Sequence, residues 1–61
     1  MTTLKDLKAT AAQLIEKHPQ HRDEIVDFYH LAVSEVEEGG SEAHECSLAY
    51  NDMISLIEEG E

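Results

Sequence analysis

The sequence predicts an all-α protein, a small antiparallel three-helix bundle with short loops. Three observations carry that expectation. Apolar residues recur three and four positions apart along three separate stretches. Two strong stops, Pro19 and the pair Gly39-Gly40, divide those stretches. No stretch alternates apolar and polar residues as a half-buried strand would.

The first helix is predicted over residues 4–17. Thr3 is placed to act as N-cap with Asp6 three residues on, a pattern close to a capping box. Leu4, Leu7, Ala11 and Leu14, with Ile15 beside them, form its apolar stripe. Pro19 ends it, because the residue before a proline resists the helical region.

The second helix is predicted over residues 20–38. Pro19 falls at its first turn, where the missing N–H is not needed, and His18 falls near the N-cap. Ile25, Phe28, Tyr29, Ala32, Val33 and Val36 make the apolar face. Gly39 and Gly40 stop the helix, one of them in the left-handed conformation of a C-cap.

The third helix is predicted over residues 42–59, with Ser41 as N-cap and Gly60 as a stop. Glu42 and Glu45 in its first turn complement the positive end of the helix dipole. Ala43, Cys46, Ala49, Tyr50, Met53, Ile54 and Ile57 share one face.

Short connections make consecutive helices antiparallel. A chain of 61 residues is one domain, 1–61. It buries only about 60% of the surface its unfolded form exposes. The alternative architecture is an open helical hairpin completed by homodimerisation. Two leucines fall off the stripes. Leu31 lies about 240° from Ile25, within the acidic side of the second helix, and Leu48 lies about 200° from Cys46. They are either ordinary exposed leucines or part of a contact surface.

Charge is the strongest functional signal. Fourteen acidic residues against four basic ones give a net charge of −10. Residues 1–22 hold all four bases, Lys5, Lys8, Lys17 and Arg22, and two acids, for a net of +2. Residues 23–61 hold twelve acids and no base, for a net of −12. Some of these acids help helix starts. Glu37, Glu38, Glu58 and Glu59 do the reverse, because they sit at the negative ends of their helices. Stability alone would place lysine at several of these positions.

The same composition excludes a broad basic surface for nucleic acid or an anionic membrane. No long apolar run and no signal-peptide pattern follows Met1, and the single cysteine fits a reducing compartment, so a cytoplasmic location is expected. No cofactor or metal is expected. No two of His18, His21, His30 and His44 stand four apart on one helix. Asp27-x-x-His30 has no second copy and points away from the apolar stripe. Cys46 and His44 lie about 200° apart and cannot form a dyad. An enzyme is the class these residues support least.

Two functional readings follow. In the first, the acidic face binds a basic protein partner. It would act in the manner of a phage-type inhibitor, mimicking nucleic acid against a nucleic-acid-binding enzyme. The residues expected to meet that partner are Asp27, Leu31, Glu35, Glu38, Glu42, Glu45, Leu48 and Asp52. In the second, the chain is a homo-oligomeric assembly or adaptor module, and its acidic surface is a solubilising coat.

Overall fold

The computed structural model describes residues 3–60. The chain's first two residues and Glu61 lie outside them, so the reading of the chain start and the charge of Glu61 stay with the sequence. Three helices pack against one another: α1 (Leu4–Lys17), α2 (Arg22–Glu37) and α3 (Glu42–Gly60). A single 3-10 turn, Pro19–His21, joins the first two. The Cα envelope is 34 × 18 × 17 Å. α3 sets the long axis, since its 19 residues rise about 28 Å.

Each boundary has a local cause. Thr3 is extended (φ −131°, ψ 157°), and its Oγ1 accepts from the Asp6 N–H at 3.1 Å, as an N-cap should. At the other end of α1 the chain departs from the expected start of helix two. The His21 N–H donates to the His18 carbonyl at 2.9 Å, which closes a 3-10 turn, and α2 opens only at Arg22. Pro19, whose ring blocks a continuous α-helix, keeps α1 from running on into α2, and the Pro19–His21 turn fills the gap between them.

The Gly-Gly turn is a Schellman motif. The Gly39 N–H donates to the Val36 carbonyl at 3.1 Å and the Gly40 N–H to the Glu35 carbonyl at 2.8 Å. Gly39 carries the positive φ of 107°. Gly40 is needed for a different reason, since a Cβ there would stand 2.8 Å from the Glu35 carbonyl oxygen. Ser41 then caps α3 through a long 3.4 Å contact from the His44 N–H to its Oγ.

The core is Leu7 and Ala11 from α1, Ile25 and Ala32 from α2, and Cys46, Ala49, Met53 and Ile57 from α3. Leu4, Leu14, Ile15, Phe28, Tyr29, Tyr50 and Leu56 pack around it half-buried. Each helix contributes one buried alanine, which lets the axes approach closely. The accessible surface is 4075 Å². A folded monomer of this mass should expose about 4,000 Å². The bundle is thus closed within one chain, and no open hairpin waits for a second copy to cover its core.

Two details of α3 differ from expectation. Ala43 is exposed rather than on the buried face: it lies about 60° from Cys46, in the first turn of α3 at the end of the bundle. Gly60 is the last residue of α3, one position past the expected end of the helix. A Cβ at Gly60 would sit 2.7 Å from His21 Cε1, so the glycine makes room for the imidazole.

Candidate functional site

α2 and α3 run antiparallel from the Gly-Gly turn, and a groove opens along their outer junction, lined by residues of these two helices alone. Its floor is Phe28, Ala32 and Ala49. Leu31 and Leu48, one from each helix, flank it, and Glu35, Glu45 and Asp52 complete the lining. These leucines are the exposed large apolar residues of the bundle, at 61% and 46%. No lysine or arginine lines the groove.

Five of the eight expected contact residues therefore meet in one place: Leu31, Glu35, Glu45, Leu48 and Asp52. Asp27 lines the adjoining depression with His30 and Ser34, on the far side of Leu31. Glu38 is exposed at the C-cap of α2, on the same edge of the helix as Leu31, about 20° away. Glu42 is drawn elsewhere. Its Oε2 accepts from the Leu4 N–H at 2.7 Å, at the start of α1. Sequence reasoning missed the floor, Phe28, Ala32 and Ala49, because it had assigned these residues wholly to the core.

The electrostatics are one-signed. The position of Gly40 shows Glu35 and Glu45 to be neighbours at the turn end: a Cβ there would meet the Glu35 backbone and, at 3.3 Å, Glu45 Cγ. Glu45 is half-buried, and Glu35 and Asp52 are exposed. The bases sit on α1 and at the first residue of α2.

The groove encloses about 140 Å³. Small-molecule pockets usually hold about 300–1,000 Å³. The space suits one or two side chains of a macromolecule rather than a whole ligand.

The other candidate chemistry stays apart. Cys46 is fully buried, and burial pushes its thiol up from 9.0, with the negative charge of Glu42, Asp6 and Glu45 adding to the effect. A thiol held protonated is a poor nucleophile. His44 is exposed on another side of α3. Among the described residues no three His, Cys, Asp or Glu side chains converge as a metal site requires. No helix among them is long and apolar enough to cross a membrane. Comparison with family models, with curated proteins and with solved structures finds no match.

Proposed function

We propose that this protein is a non-catalytic binding module whose α2–α3 face docks on a basic surface of a partner protein. The observation that carries this reading is the groove itself. Two exposed leucines stand at its centre, carboxylates surround them, and no base is present.

Magnitudes divide the work between the two kinds of residue. Fully burying a leucine is worth about 1.5–3 kcal/mol. An exposed ion pair contributes roughly 0.2–1 kcal/mol. With Leu31 61% and Leu48 46% exposed, each has roughly half of that still to gain, so the two leucines supply affinity comparable to that of the three groove carboxylates. The carboxylates decide the sign of the partner and speed the encounter. Where the partner's basic surface is a nucleic-acid channel, occupying it excludes the nucleic acid, and the module acts as an inhibitor by mimicry.

The test is a pull-down from native lysate at low and high salt, with the unmodified protein and with Glu35→Lys/Glu45→Lys/Asp52→Lys. A basic nucleic-acid-binding protein should be held at low salt, released at high salt and lost with the triple variant. Equal recovery by both forms would overturn the reading.

The second reading, homo-oligomeric assembly, draws support from a different face. A depression between α1 and α2, lined by Ala12, Ile15, Val26 and Tyr29 with Lys8 and His30, contains no carboxylate. Self-association there should give a salt-insensitive dimer mass by light scattering. A monomer at every concentration would remove it.

A further inference from the structure

We infer that the occupant of the α2–α3 groove is a single amphipathic α-helix whose apolar stripe is edged by lysine or arginine. This rests on the basic-partner reading above and gives the partner a shape.

The spacing of the groove residues carries the argument. On α3, Glu45, Leu48 and Asp52 run acid, leucine, acid over seven positions, a rise of about 10.5 Å or two helical turns. On α2, Leu31 and Glu35 follow as leucine and acid four positions apart, about 6 Å, while Asp27 stands beyond Leu31 in the adjoining depression. The helices are antiparallel, so Leu31 and Leu48 fall together in mid-groove. Glu35 and Glu45 mark the turn end, and Asp52 marks the other.

A helix laid in the groove matches this repeat. Apolar side chains three and four apart reach the leucines, and basic side chains seven apart reach both acidic ends. An extended segment crosses the same length in about three residues and turns alternate side chains away. The floor permits the approach. Ala32 and Ala49, one from each helix, are small, and nothing bulky rises from the floor at these two positions. A third helix can therefore settle between α2 and α3 at the usual packing distance of about 8–10 Å.

Charge disfavours two other occupants. A second copy docked groove to groove would set Glu35, Glu45 and Asp52 against their equivalents. Nucleic acid meets the same repulsion.

The test uses a synthetic peptide of about four turns with leucines on one stripe and lysines flanking it. A shuffled peptide of equal composition and a folded basic protein such as lysozyme serve as comparators. Binding is followed by backbone amide shifts and by peptide helicity. The inference expects the amphipathic peptide to bind about tenfold tighter than the shuffled one, to gain helicity, and to shift Phe28, Leu31 and Leu48. Leu31→Ser/Leu48→Ser, at exposed positions that leave the fold intact by circular dichroism, should erase that preference. Equal binding of both peptides, with shifts confined to carboxylate-bearing residues, would overturn the helical occupant and leave the basic-partner reading standing. The same holds if only the folded basic protein shifts the groove. If none of the three shifts it, both fall.

Discussion

The Glu42 carboxylate caps a helix it does not belong to: Oε2 accepts from the Leu4 N–H at 2.7 Å, across 38 positions of sequence. α1 and α3 run parallel, so their N-termini lie at the same end of the bundle. Glu42 stands at the positive ends of both dipoles and satisfies a donor that α1 cannot satisfy itself. One acid of the run around the Gly-Gly turn is therefore structural. Its neighbours Glu35 and Glu45 belong to the groove.

Glu42→Ala should cost about 1 kcal/mol, the usual value of a lost cap. In a domain of this size that lowers Tm by about 4–8 °C. Glu35→Ala should change stability by no more than about 0.5 kcal/mol. Thermal melts of the two variants check the contrast. A loss of binding in a Glu42 variant must be read with its melt in hand.

The two glycines of the turn should respond differently to alanine. Gly39→Ala forces a side chain into the positive-φ region, at about 1–2 kcal/mol. Gly40→Ala keeps an allowed backbone but drives a methyl to 2.8 Å from the Glu35 carbonyl oxygen, so the Schellman hydrogen bond must open. Urea denaturation should show both variants destabilised. Only Gly40→Ala should also speed exchange of its own amide, the donor to Glu35.

His21 and Gly60 should be energetically coupled. The imidazole is 15% exposed, and its Nε2 is buried with no hydrogen-bond partner among the described residues. Gly60→Ala should destabilise the native background and cost clearly less in a His21→Ala background. A double-mutant cycle with an interaction energy of about 0.5 kcal/mol or more is expected. Additive costs would show that the ring moves aside freely.

Cys46 gives the pH dependence a direction. Its thiol is pushed up from 9.0 by burial in the folded protein and returns to an ordinary value on unfolding. The folded state holds the proton more tightly, so this contribution is fully present below the unfolded pKa. It is lost as pH rises through the folded value. Stability should decline at alkaline pH, and Cys46→Ala should blunt that decline. At neutral pH a thiol reagent should label the native protein far more slowly than the protein in denaturant.

Much of the architecture was legible because it is local. Thr3, Pro19, Gly39 and Ser41 each act on backbone within a few positions, and single-residue signals identify them. Ala43 was misjudged because its surroundings are set by the end of the bundle, and the closeness of Gly60 to His21 is invisible to local signals. The site was half legible. Periodicity placed Leu31 and Leu48 off their own stripes, but it says nothing of the register between two helices. Only the folded pair shows that they share one groove over Ala32 and Ala49. The Glu42 bond to Leu4 was hidden for the same reason, since the partner lies 38 positions away.

The segregation of bases has a consequence for motion in solution. Lys5, Lys8 and Lys17 lie on α1 and Arg22 opens α2, while the groove is built from α2 and α3 on the side away from α1. The molecule is therefore an electric dipole across its narrow axis as well as a net anion. Near a positive surface it feels a torque in addition to an attraction. It tends to turn α1 away from that surface and α2 and α3 toward it. Rotational search is what usually holds association far below the diffusion limit. A protein that turns itself in the approaching field has part of that search done before contact.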